Sequence, residues 1–241
     1  MIISQRKLAL TTLAFYWPAL IVFAHISVPD SVRDADVSDK SLHFQAYLVL
    51  TFLIWFSIKP QEKVNWRKLP AWLIFFSLTA YGAIDEVIQG HIGRSCDAMD
   101  LVTNITGILC GLVLLTFVSF LTAALIISGI VIFGISNVAK TDLTDLFPLA
   151  YIAFHFVAYS IFTSFWILNM NLIFHKKLKK AKWFILSVGI PVCFLIIVRI
   201  SSFLLGGVTH LEDFIIPVIA IIIVTTILYF MEFFFHKQIK L

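Results

Sequence analysis

Charge is scarce in this chain. Asp, Glu, Lys and Arg make up 13% of its 241 residues, hydrophobic residues make up 60%, and mean hydropathy reaches +0.97. Such a composition leaves too little polar surface for a soluble globule and marks an integral membrane protein. Cysteine is scarcer still: Cys96, Cys110 and Cys193 are scattered, with neither metal-ligand spacing nor a disulfide framework. The alternation that a transmembrane barrel requires is missing, because stretches such as Ile215–Phe230 are continuously apolar. Neither G-x-S-x-G nor H-E-x-x-H occurs, which removes two signatures of hydrolytic membrane enzymes. What remains is an all-α, polytopic membrane helix bundle.

A spanning helix needs about 20 mostly apolar residues. About eight such segments can be cut, at 8–28, 42–58, 69–90, 99–117, 120–137, 147–174, 182–205 and 211–235. Lys and Arg gather at Arg6-Lys7, at Lys59, Lys63, Arg67 and Lys68, at Lys176, Lys177, Lys179, Lys180 and Lys182, and at Lys237 and Lys240. The alternate loops are acidic or mixed, with Asp30, Asp34, Asp36 and Asp39, then Asp97 and Asp100, then Asp142 and Asp145. Positive loops stay in the cytoplasm. Both termini are therefore expected inside and the acidic loops outside, only the nearly uncharged turn near Ser119 giving no signal. The net charge of +4 then reflects topology and not nucleic-acid binding. Lysine runs beside a membrane also attract anionic lipid. Arg6-Lys7 precedes an apolar run longer than a signal core, with no A-x-A site before Pro29, so that run reads as a retained helix.

The second half echoes the first. His43-Phe44-Gln45-Ala46-Tyr47 recurs as His155-Phe156-Val157-Ala158-Tyr159, and Thr51 aligns with Thr163. With one inserted residue, Gly93 and Asp100 align with Gly206 and Asp213. The expected organisation is two tandem four-helix repeats, 1–118 and 119–241, crossing the membrane in the same sense. The second copy looks degenerate: Asp85, Glu86 and Gln89 align with Ile197, Val198 and Ser201, and Asn104 with Pro217. A functional site is expected in the first half.

Two polar clusters interrupt that half, and ionisable groups in or beside apolar spans persist where they pair, cap helices or carry function. Asp39, His43 and Tyr47 lie at i, i+4 and i+8, on one side of the second helix. Asp85, Glu86 and Gln89 lie near the outer end of the third, where the two adjacent carboxylates cannot face the same way. Asp97, Asp100, Asn104, Gly107 and Gly111 form one stripe down the fourth, from charge at the surface to a G-x-x-x-G that admits another helix closely. The three polar faces can converge in one pocket below the outer surface. Helix amino termini point there and favour anions; Lys40 and Arg94 add positive charge, and arginine can grip phosphate or carboxylate with two hydrogen bonds. Plainer roles stand beside these. Asp39 and Asp97 can cap their helices, Arg94 can pair with neighbouring acids, and Gly107 and Gly111 can serve packing alone. His155 and Tyr159, without acidic partners, read as structural.

These stretches resemble the VanZ-like family of bacterial membrane proteins. The resemblance is carried by D-K-x-x-H-F-x-x-Y from Asp39 to Tyr47, and by D-E-x-x-Q, G-R, D-x-x-D and N-x-x-G between Asp85 and Gly107, over roughly residues 8–118. It implies a place in the cell envelope and, for the family's founder, a link to teicoplanin resistance. It carries no mechanism to transfer. Ile92 stands where such proteins often have proline, and the unit here reads as doubled.

The expected function is an outward-facing polar site for an anionic or lipid-linked ligand, such as an envelope precursor or a glycopeptide. In an enzyme, His43 with Asp39, Asp85 or Glu86 would do acid–base work, while Asp39, Lys40, Tyr47, Gln89, Arg94, Asp97, Asp100 and Asn104 would hold the ligand. Oxygens of Asp85, Glu86 and Asp100 would suit Mg2+ or Mn2+, but no spacing demands an ion, and no metal ligand is assigned. A binding module without chemistry is the alternative, and a transporter stands behind it. No feature of the sequence speaks to cofactor or oligomeric state.

Overall fold

The computed structural model describes residues 2–25, 38–60, 62–92, 97–137, 148–174 and 178–233. Among them are eight helices and no strand: α1 (Ile2–His25), α2 (Asp39–Ile58), α3 (Leu69–His91), α4 (Ala98–Phe117), α5 (Phe120–Ser136), α6 (Pro148–Ile173), α7 (Lys180–Leu204) and α8 (Glu212–Phe233). All but α5 are long and apolar enough to cross a membrane, and α5 is a shorter apolar helix of 17 residues, about 25 Å long. The chain is a multi-pass helical membrane protein. Several expectations lie outside the described residues: Arg94, Gly93 and Cys96, the aspartates at 30, 34, 36, 142 and 145, and the lysines at 176, 177, 237 and 240.

Helix starts follow local chemistry, with one correction. Asp97 caps α4 as expected, its carboxylate accepting from Met99 N at 2.9 Å. The cap of α2 is not Asp39 but Ser38, whose Oγ faces Ser41 N at 3.4 Å; Asp39 is the first helical residue. There its charge still suits the helix dipole.

The described contacts group into two compact units, 1–127 and 128–241, and the division falls inside α5. In the first unit α2 is central, packed on α4 and α1, while α3 packs on α4. Glycine explains the intimacy of α2 and α4. A Cβ at Gly107 would stand 2.5 Å from the Phe44 carbonyl oxygen, and one at Gly111 would stand 3.0 Å from Thr51 Cγ2. The expected packing role of this pair is what the structure displays. At the opposite end, the 59–68 loop is bound to the end of α4. Val64 N donates to Leu115 O at 3.0 Å, Lys63 Nζ to Phe117 O at 2.6 Å, and Trp66 Nε1 to Thr116 Oγ1 at 3.0 Å. The Leu115 and Phe117 carbonyls lie in the last turn, where intrahelical donors run out, so the loop satisfies a helix end.

In the second unit α8 packs on α6 and α7, and α6 on α7. Ile167, Met170 and Trp183 form a buried cluster near one end. Trp183 places its indole nitrogen 2.8 Å from Asn171 Oδ1.

Candidate functional site

Helical spacing and the glycine contact bring the first unit's polar groups to one end of α2, α3 and α4. His43 is the hub. Its Nδ1 lies 3.0 Å from Asn104 Oδ1 and 3.7 Å from Glu86 Oε1, while Nε2 lies 3.7 Å from Asp39 Oδ1. Lys40 projects from the next position and reaches Asp97 Oδ2 at 3.1 Å and Asp100 Oδ1 at 3.5 Å. Lys40, Asp39 and Asp97 form an exposed rim; Glu86 and Asp100 are each 3% exposed and Asn104 is fully buried.

The adjacent carboxylates of α3 diverge, as their helical positions require. Glu86 turns toward His43, whereas Asp85 accepts from Gln89 Nε2 at 2.9 Å and faces His25 Nε2 at 3.6 Å. His25 closes the cluster from α1. It was missed because no short spacing links it to Asp85. Tyr47 lies deeper, beside Gly82: a Cβ there would stand 3.2 Å from the Tyr47 hydroxyl and 3.4 Å from Asn104 Nδ2. Gly82 thus leaves room for both polar tips.

Several buried atoms here have no hydrogen-bond partner among the described residues: both Glu86 oxygens, Asp100 Oδ1, Asn104 Nδ2 and the Tyr47 hydroxyl. Buried polar groups are almost always satisfied; a comparable set lies in the second unit, at His155 Nδ1, the Tyr159 hydroxyl and Arg199 Nε. At the rim, the Asp97 carboxyl is held below its ordinary value, first by the Met99 N–H and then by Lys40. Of the site residues expected from sequence, Asp39, Lys40, His43, Glu86, Asp97, Asp100 and Asn104 come together. Asp85 and Gln89 form a neighbouring pair, and Tyr47 lies at the inner edge.

Residues 4–119 match the family model described as VanZ/LLP1, and this stretch contains the whole cluster. Over it, the chain belongs to the VanZ-like family. No curated protein and no solved structure matches the chain.

Beyond the VanZ-like stretch, the second unit holds a buried polar network that the sequence alignment missed. Arg199, 3% exposed in α7, donates from Nη2 to His155 Nε2 at 3.3 Å and from Nη1 to the Tyr151 hydroxyl at 3.2 Å. It also pairs with Asp213 Oδ2 at 3.4 Å, and the Tyr151 hydroxyl donates to Asp213. His155 therefore does have an acidic group nearby, bridged by arginine. The signal was a lone arginine in an apolar helix. Inserting the extra residue before Tyr81 instead of after Gln89 aligns Glu86 with Arg199 and Tyr81 with Phe194. The ring pairs then correspond, Tyr47–Tyr81 at 6.1 Å and Tyr159–Phe194 at 6.4 Å.

Proposed function

We propose that this VanZ-like membrane protein serves the bacterial cell envelope from the cytoplasmic membrane, with an outward-facing site for an anionic or lipid-linked ligand at the polar end of α2, α3 and α4. The observation that carries this reading is the set of buried polar atoms of Glu86, Asp100 and Asn104 that lack a hydrogen-bond partner among the described residues, behind an exposed charged rim. Desolvating such groups costs several kcal/mol apiece without compensation, so a ligand that completes their bonding is the simplest reason to keep them. The distribution of lysine and arginine supports the outward orientation. Lys40 supports an anionic headgroup, phosphate or carboxylate, and Arg94, three positions before Asp97 in the sequence, adds a second positive charge. His43, between Asp39 and Glu86, is placed to move a proton should the ligand also be processed. The second unit is read as a diverged copy in which Arg199 closes the equivalent place. The gathering of polar groups at one end, away from mid-helix, disfavours transport.

Mass spectrometry of lipid co-purifying with the protein tests the ligand. An anionic or lipid-linked envelope compound should accompany wild type and be lost in Glu86→Gln and His43→Ala variants that still fold. Equal lipid content in all three rejects the site. Product in place of bound lipid in wild type alone would identify an enzyme, and unchanged lipid a recognition module. Orientation is tested by Met99→Cys with Cys96, Cys110 and Cys193 replaced by serine. A membrane-impermeant maleimide should label intact cells; labelling only after permeabilisation overturns the outward reading. If the glycopeptide link holds, expression should lower teicoplanin susceptibility and His43→Ala should abolish the effect.

A further inference from the structure

The polar groups of the first unit lie in layers along the helix axes. Lys40 stands at the rim, and Tyr47 lies seven residues on, about 10 Å deeper along α2. Asp97 caps α4 at the rim, and Asn104 lies the same seven residues, about 10 Å, below it. The buried Asp85 and Glu86 sit one turn above Gly82 on α3. We infer that the lower layer, where the Tyr47 hydroxyl and Asn104 Nδ2 meet Gly82, is a subsite for an uncharged carbonyl oxygen, and that the ligand is an anionic glycerophospholipid whose ester carbonyl enters there. The inference rests on the reading of this end as the site of an anionic or lipid-linked ligand, and it selects an acyl-ester lipid over a polyprenyl-linked one.

Three observations carry it. Tyr47 is 1% exposed and Asn104 is fully buried, and neither the hydroxyl nor the amide nitrogen has a hydrogen-bond partner among the described residues. The second observation is how the two groups are aimed. His43 Nδ1 lies 3.0 Å from Asn104 Oδ1, which engages the acceptor end of the amide and leaves its NH2 to face Gly82. The Tyr47 hydroxyl and Asn104 Nδ2 come within 3.2 and 3.4 Å of the point where a Cβ on residue 82 would stand. One place thus has two donors close to hydrogen-bonding distance, and a carbonyl oxygen has two lone pairs to receive them. Trp17 and Tyr81, edge to face at 5.6 Å, close this place toward α1.

The third observation is charge. A phosphate or carboxylate brought down to Gly82 would lie just below two carboxylates, whereas Lys40, the cation suited to hold it, stays at the rim with its side chain 52% exposed. A neutral oxygen meets no such repulsion. The lipid that suits both layers therefore carries a phosphate for Lys40 and an uncharged acceptor a short way beneath it. Ester-linked glycerophospholipids have that arrangement; a polyprenyl phosphate has only hydrocarbon below its phosphate. Water is the competing occupant, and the experiment separates the two.

Full-length protein, delipidated in detergent, is loaded with radiolabelled dioleoyl phosphatidylglycerol. It is then challenged with the unlabelled diester, with its diether counterpart, which lacks both carbonyls, and with undecaprenyl phosphate. The diester should compete about 10-fold better than the diether, the effect of two hydrogen bonds in a buried site. Tyr47→Phe removes one donor and should reduce that preference to about 3-fold; Gly82→Ala sets a methyl against both donors and should abolish it. Lys40→Ala should weaken diester and diether alike and leave their ratio unchanged. Melting temperature is read for every variant, and Tyr47→Phe, which removes a single oxygen, carries the test if Gly82→Ala does not fold. Equal competition by diester and diether in wild type overturns the inference and assigns the donors to water. A full preference surviving in Tyr47→Phe overturns it as well. Undecaprenyl phosphate binding more tightly than the diester overturns it while leaving an anionic-lipid site in place. Saturable binding of none of the three removes the reading of this end as a ligand site, and the inference with it.

Discussion

Replacing Gly107 with alanine should loosen the first unit at the contact that assembles the site. The new methyl would stand 2.5 Å from the Phe44 carbonyl oxygen, 3.2 Å from Leu48 N and 3.3 Å from Phe44 C, all of them backbone of α2. A carbon–oxygen contact normally stops near about 3.3 Å, so α2 and α4 must part by roughly 0.8 Å, since no side chain can rotate away. Overpacking of this kind costs about 1–3 kcal/mol, against which alanine returns about 0.8–1 kcal/mol of helix propensity. With a clash against immovable backbone placing the cost in the upper part of that range, about 2–3 kcal/mol, the expected net loss is about 1–2 kcal/mol, or some 2–8 °C in melting temperature for a chain of this length. Two companions calibrate the result. Gly111→Ala meets only the Thr51 side chain, nearest at 3.0 Å, and should lose less; Gly189→Ala meets nothing within 4 Å and should be neutral or stabilised. Tryptophan-fluorescence melting in detergent measures all three. Stability of Gly107→Ala equal to that of Gly189→Ala would refute the close approach of α2 and α4, and with it the geometry assigned to His43 and Asn104.

Three further outcomes follow from the same structure. Arg199→Leu strips the buried Asp213 of its guanidinium and should cost about 3–5 kcal/mol. Adding Asp213→Asn should recover a substantial part, so that the double-mutant cycle is far from additive; additive losses would contradict the pairing. Tyr47→Phe should leave stability within about 1 kcal/mol of wild type, because the buried hydroxyl has no hydrogen-bond partner among the described residues, and a larger loss would show that it has one. A lowered Asp97 carboxyl stabilises the fold above its ordinary value near about 3.9. That contribution disappears as pH falls through the lower folded-state value. Acid melting curves should accordingly be steeper in wild type than in Asp97→Asn below about pH 4, and identical curves would discount the cap and the Lys40 contact.

The helices were legible because membrane burial leaves its mark on composition: the span expected at 42–58 is Asp39–Ile58, and that expected at 99–117 is Ala98–Phe117. The site was legible where helical periodicity alone settles geometry, as with Asp39 below His43, Gln89 above Asp85, and the stripe from Asp97 to Gly111. Periodicity is silent about partners far apart in the chain. His25 reaching Asp85 and Arg199 reaching His155 depend on how whole helices dock, and the second was further obscured by the placement of one inserted residue. The cap of α2 was misread by one position because Ser38 and Asp39 are both good capping residues, and only backbone conformation separates them.

Because α5 belongs to both compact units, the chain cannot be divided at the loop before it. Phe120 packs its ring on Phe52 and Phe56, at 5.5 and 4.4 Å, whereas Gly129, two turns on, lies against Phe162 and Phe194. A fragment ending at Ser119 would bare two phenylalanines of α2, and one starting after Ile127 would begin in mid-helix. Anyone expressing the halves separately would have to include residues 120–136 twice, once in each piece.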